Sequence, residues 1–176
     1  MRGGTSKGVF FRLHDLPEPA QQPGRARDAL LMRVMGSPDP YGKQIGGMGA
    51  ATSSTSKTVI LSSSTRPGHD VDYLFGQVAI DKPFVDWSGN CGNLSAAVGP
   101  FAIAHGLVDP ARVTRDGICT VRVWQANIGK TIVAHVPVSG GHAGVPIIFL
   151  NAADIAYTAT ELQDAINSDK AALERF

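Results

Sequence analysis

The sequence predicts an α+β fold, and three observations carry that expectation. Short β-rich apolar runs outnumber the helical stretches, the two kinds do not alternate regularly, and Gly, Pro and Ser clusters separate most of them. The 176 residues are 43% apolar with a mean hydropathy of +0.01, which suits one compact unit or two small lobes.

Val9 to Leu13 (VFFRL) reads as a buried strand that follows a Gly/Ser/Thr loop. After a Pro-rich connection, Arg25 to Met35 has helical spacing through Ala29, Leu30 and Val34, and Gly36 with Pro38 stops it. Residues 46 to 56, GGMGAATSSTS, are too rich in Gly, Ser and Thr for a core and form a loop. That loop runs into a short β-rich segment, Lys57 to Leu61. Tyr73 to Ile80 is another strand, with Gly76 marking a bulge.

Residues 88 to 107, SGNCGNLSAAVGPFAIAHGL, open a helix with Leu94, Val98, Phe101 and Ile103 on its apolar side. Pro100 is expected to bend it or shorten its first half. Cys119 to Trp124, Thr131 to Val138 and Val145 to Leu150 complete the strands. Thr158 to Glu161 (TATE) is a capping box ahead of a helix bearing Leu162, Ala165 and Ile166. The join SGGHAG, residues 139 to 144, reads as a linker or a shortened loop.

Sixteen basic and 15 acidic residues leave a net charge of +1 with no Lys/Arg run, which argues against nucleic acid and anionic membrane as partners. No apolar stretch reaches the roughly 18 residues of a membrane span, and MRGGTSKG lacks the apolar core of a signal peptide. Two cysteines without a CxxC spacing point to reduced thiols in a cytoplasmic setting. The five histidines show no ligand spacing, so no metal site is expected.

Cys91 is the first candidate for chemistry. With Asn90 as N-cap, it would occupy a first helical turn, where unpaired N–H groups and the helix dipole favour a thiolate. The N–H groups of Gly92 and Asn93 could equally hold a substrate carboxylate. The plain alternative is a small buried cysteine packed beside Trp87. Cys119, in the apolar strand CTVRVW, reads as core filler.

Lys57 closes the Gly/Ser/Thr run. It is not a Walker A lysine, because it follows Ser56 rather than glycine. Two readings stay open: a base held in a closed pocket, where desolvation favours a neutral amine, and a solvated strand-end lysine. RGGTSKG offers Arg2, Thr5, Ser6 and Lys7 around flexible glycines, donors suited to a di- or tricarboxylate.

These motifs resemble those of the 2-methylaconitate cis–trans isomerase (PrpF) family. The likeness runs through RGGTSKGVFFRL at 2 to 13, SPDPYGKQIGGMGAATSSTSKTVIL at 37 to 61 and DVDYLFGQVAIDKPFVDWSGNCGNLSAAVGPFAI at 70 to 103. It continues in VRVWQANIGKTIVAHVPV at 121 to 138 and AGVPIIFLNAADIAYTATELQDAIN at 143 to 167. The resemblance implies a diaminopimelate-epimerase-like lobe, a mixed or antiparallel sheet wrapped around a central helix. It also implies an isomerase that moves an allylic proton on an unsaturated tricarboxylate. Its acid/base lysine matches Lys57 and its active-site cysteine matches Cys91. Arg2, Thr5, Ser6, Ser53, Ser54, Ser56, Gly92 and Asn93 are the expected substrate contacts.

The resemblance implies no cofactor, since the substrate's carboxylates take up the electron density. The expected partner is a small di- or tricarboxylate, with a homodimer and a functional link to a methylcitrate dehydratase as further expectations. 2-Methylaconitate in propionate breakdown leads, with 4-oxalomesaconate tautomerase and methylitaconate isomerase as related activities. Family members are longer, with two similar lobes. The chain therefore reads as a truncated member: a first lobe over 1 to 138, a shortened loop at 139 to 144, and, over 145 to 176, the end of that lobe and the start of a second lobe that is otherwise absent. A non-catalytic carboxylate-binding or assembly fragment is the reading from a different class.

Overall fold

In the computed structural model, residues 1–144 are described; the expected strand at 145 to 150 and the TATE helix lie outside them. A hairpin of β1 (Arg2–Gly3) and β2 (Ser6–Lys7) precedes β3 (Val9–Arg12), a 3-10 turn and the short α1 (Glu18–Gln21). Then follow α2 (Arg25–Met35), β4 (Lys57–Ser63), β5 (Val71–Val78), β6 (Val85–Asp86) and α3 (Gly92–Ala104). The chain continues through β7 (Gly117–Gln125), β8 (Lys130–Ser139) and β9 (His142–Ala143). The main sheet has the order β3-β4-β5-β7-β8-β9, with β6 added to β5. β3 runs parallel to β4 and β5 parallel to β7, while the remaining pairs are antiparallel. No helix among the described residues is long and apolar enough to cross a membrane.

Alternation along the strands sorts the core into two sides. Val59 and Leu61 of β4, Tyr73 and Phe75 of β5, and Val121 and Val136 of β7 and β8 form one cluster with Leu94, Val98 and Phe101 of α3. The mixed sheet thus wraps the central helix, as expected. Ile60 and Leu74 point the other way and pack with Leu31 of α2 and Leu16. Antiparallel register fixes both faces at once, because Val59 pairs with Phe75 and Ile60 with Leu74.

Several expectations need correction. The bounds of α2 agree, but its buried face is Arg27, Leu31 and Met35, while Ala29 is exposed and Leu30 and Val34 are half-buried. An arginine belongs there because it satisfies the end of α1, its guanidinium donating to the carbonyls of Ala20 and Gln21. Gly76 makes no bulge: the β4–β5 ladder runs unbroken from Lys57↔Gln77 to Ser63↔Val71. A Cβ at Gly76 would meet Thr58 Oγ1 at 2.8 Å and Trp87 at 3.0 Å, so close packing demands the glycine. The first strand is only half-buried and stops at Arg12, and α3 runs on through Pro100. Residues 139 to 143 are part of a tight hairpin in which Ser139 pairs with His142.

Beyond Tyr73↔Gln125 the β5–β7 ladder ends, and a side chain carries it one step further. Asn127 Oδ1 accepts from Phe75 N–H at 2.8 Å, and its Nδ2 donates to the carbonyls of Phe75 (2.8 Å) and Trp87 (2.6 Å). This holds β5 and the approach to α3 in a fixed relation, which matters for the site below.

The burial pattern of α2 sets a measurable contrast. Leu31→Ala, at 0% exposure, should cost about 2–5 kcal/mol in urea unfolding, whereas Ala29→Ser should stay within about 0.5 kcal/mol.

Candidate active site

Lys57 begins β4 on the same face as Val59 and Leu61, so its side chain projects to the α3 side of the sheet. Its Nζ lies 5.1 Å from the centre of the Phe75 ring and donates to Gln77 Oε1 at 3.0 Å. Gln77 is its cross-strand partner. Gln77 Nε2 in turn donates to the carbonyls of Ser56 (2.8 Å) and Ser53 (3.2 Å).

Cys91 is 7% exposed and belongs to the same core cluster as Phe75. It is the N-cap of α3, with φ −117° and ψ 99°, rather than a first-turn residue behind an Asn90 cap. Its carbonyl accepts the first helical bond from Ser95 N–H (3.1 Å), together with Ser95 Oγ–H (3.0 Å) and Tyr73 O–H (3.4 Å). Burial pushes the Tyr73 phenol above its usual range, so it remains a neutral donor. The Cys91 thiol faces the buried hydroxyl of Ser6, with Sγ to Oγ at 3.7 Å. Next to it, the N–H groups of Gly92 and Asn93 belong to the helix turn that has no intrahelical acceptor.

The β1–β2 hairpin lies across this helix mouth. Asn93 Nδ2 donates to Thr5 Oγ1 at 3.0 Å. The backbone of Gly3 is so close to the Asn93 carbonyl that no Cβ would fit between them. Lys7 N–H donates to Ser54 O at 2.9 Å, joining the hairpin to the serine turn before Lys57.

Ser6, Thr5, Gly92 and Asn93 thus gather with Cys91 at the start of α3, while Lys57, at the start of β4, reaches the ring of Phe75, which belongs to the same core cluster as Cys91. Ser53 and Ser54 lie exposed on the turn leading to Lys57. Two expected contacts fall elsewhere. Ser56 is 0% exposed, and its hydroxyl is committed to Val78 O (2.7 Å) and Gln44 Nε2 (2.8 Å), so it holds the loop together. Arg2 pairs with Lys7 on the hairpin face opposite Gly3 and Ser6, and lines a cavity of about 480 Å³ with Phe10 and Phe101.

The sequence reading missed Gln77, Tyr73 and Asn127. None has a motif; only the register of β4 on β5 could have paired Gln77 with Lys57. Gln44 was also missed. Its amide links Ser37, Ser56 and Ala51 N–H, and its own N–H donates to Asp39. Backbone N–H bonds, that of Tyr41 first, hold the Asp39 carboxyl below its usual range. Cys119 is core, as expected, and His105, at the far end of α3, stacks on Phe101.

The geometry can be set beside known proteins. The "PrpF protein" family matches residues 1–144. The chain belongs to the PrpF family. It is 56% identical to a 2-methyl-aconitate isomerase of Shewanella oneidensis and 58% identical to one of Cupriavidus necator, in each case over all of this chain and 60% of the relative. It therefore spans less than two thirds of the length of these PrpF relatives. Both alignments extend over 237 positions against a chain of 176 residues, so the relatives carry several dozen internal residues that this chain lacks. A crystal structure of methylitaconate-delta-isomerase superposes with a TM-score of 0.74 at 40% identity, covering 86% of this chain and 66% of that one. That likeness agrees with the expected diaminopimelate-epimerase-like lobe.

The seating of the hairpin on α3 can be tested with two glycines. Gly3→Ala should cost about 1–3 kcal/mol and displace the Asn93 amide resonances, because backbone must move. Gly92→Ala, with open space around its Cβ position, should leave stability within about 0.5 kcal/mol.

Proposed function

We propose that this chain carries the base-bearing part of an isomerase site that moves an allylic proton on an unsaturated tricarboxylate, with 2-methylaconitate as substrate. One observation supports the chemistry above all: Lys57, Phe75 and Tyr73 share one sheet face, and Tyr73 bonds the residue that opens α3, Cys91. The choice of substrate rests on the two 2-methyl-aconitate isomerases, which match the whole chain. 4-Oxalomesaconate tautomerisation and methylitaconate isomerisation move the same kind of proton and are separated from this reading by substrate comparison.

In this reading a substrate carboxylate docks on the N–H groups of Gly92 and Asn93, where the 13-residue α3 presents the positive end of its dipole. Thr5, Ser6, Ser53 and Ser54 supply further donors; Arg2 and Ser56 do not take part. Lys57 as the neutral amine removes the allylic proton. The electron pair left on carbon spreads through the adjacent double bond into a carboxylate, giving a dienolate. Single-bond character at the former double bond then permits rotation, and a proton returns to the same carbon skeleton with no net redox change. Cys91 assists as proton donor or partner at the other end of the system. No cofactor is called for, because the carboxylates act as the electron sink. The reaction belongs to propionate breakdown in the cytoplasm, linked there to a methylcitrate dehydratase.

Proton NMR of 2-methylaconitate in D₂O tests this directly. Deuterium should enter the allylic position with wild-type protein. Lys57→Ala should slow that exchange at least about 10³-fold and Cys91→Ser about 10²-fold, with unfolding curves unchanged. Absence of exchange by the wild type, with carboxylate binding retained, would favour a binding fragment instead.

A further inference from the structure

We infer that Gln77 is the positioning residue of the site: it fixes the Lys57 amine and couples it to the serine turn that flanks the substrate. The inference rests on the proposed role of Lys57 as base. The amide of Gln77 has a defined orientation because its Nε2 donates to two carbonyls, Ser53 O and Ser56 O. Oε1 is therefore the end that meets Lys57, and it can only accept. A neutral lysine amine has two N–H bonds and one lone pair. Spending an N–H on Gln77 leaves the lone pair and the second N–H at the two remaining tetrahedral positions, both directed away from the Gln77 amide.

The acceptor is also neutral. Among the described residues no Asp or Glu forms an ion pair with Lys57. The groups facing it are the Phe75 ring and the Gln77 amide on β5; Tyr73 and Cys91 lie along the same face, and Lys7 is held on the neighbouring hairpin. A carboxylate at position 77 would favour the ammonium and disfavour the free amine. It would also set an oxygen, in place of the Nε2 donor, against the Ser53 and Ser56 carbonyls, breaking the link to the turn. Gln77 thus supplies direction without charge.

The test compares Gln77→Glu and Gln77→Leu with wild type in the whole protein. Gln77→Glu should move the acidic limb of the kcat/KM profile up by about one pH unit or more. Gln77→Leu should lower kcat about 10–100-fold with KM changed less than about threefold, since the base is present but misaimed. Labelling of Lys57 by an amine-reactive acyl reagent at pH 8, read by peptide mass spectrometry, should fall several-fold in Gln77→Glu. Labelling is independent of turnover, so it decides the inference even if wild-type exchange is absent and the proposed activity fails. Unchanged profile and unchanged labelling in a folded Gln77→Glu protein would overturn it.

Discussion

The register between β4 and β5 is the constraint on which the rest depends. Side chains alternate across a sheet, so one pairing decides that Val59, Leu61, Tyr73 and Phe75 meet α3 while Ile60 and Leu74 meet α2. A slip of one residue would send one strand's two apolar sets to each other's face, against the wrong helix, which makes the register costly to lose. The same pairing puts Lys57 opposite Gln77 on the α3 side. The lysine is therefore aimed by the hydrophobic core rather than by its own loop.

The second half of the site is brought up by close backbone approach. Gly3 rests against the first turn of α3, and Thr5 and Ser6 reach Asn93 and Cys91 from there. The loop before Lys57 is tied down separately by Gln44 and Ser56, which is buried and bonded to β5. Polar groups in such a network stabilise it only when each has a partner. Here no buried side-chain nitrogen or oxygen among the described residues lacks one. The apparent looseness of GGMGAATSSTS is thus a sequence property more than a structural one.

Much of this was legible in the sequence, and the failures have physical causes. The α2 bounds, the start of β4 and the α+β class could be read because periodicity and turn residues act locally. The face of α2 could not, since an arginine was buried to complete the bonding of the neighbouring α1 and apolar Ala29 was left outside. Gly76 looked like a bulge because a strand glycine has two common uses, and only tertiary packing against Trp87 distinguishes them. Cys91 and Lys57 stood out by residue type and context. Gln77 and Asn127 did not, because an amide acquires its role only from partners brought by the fold. Arg2 and Ser56 had suitable chemistry but faced away from the gathered residues.

In the proposed reaction one substrate bridges the start of β4 and the mouth of α3. A crystal structure of the whole protein with the tricarboxylate analogue trans-aconitate measures this most directly. The account predicts a carboxylate on the Gly92 and Asn93 N–H groups and the Lys57 Nζ within about 3.5 Å of the carbon corresponding to the allylic position. A ligand held instead in the cavity beside Arg2 and Lys7, with Lys57 and Cys91 untouched, would contradict it.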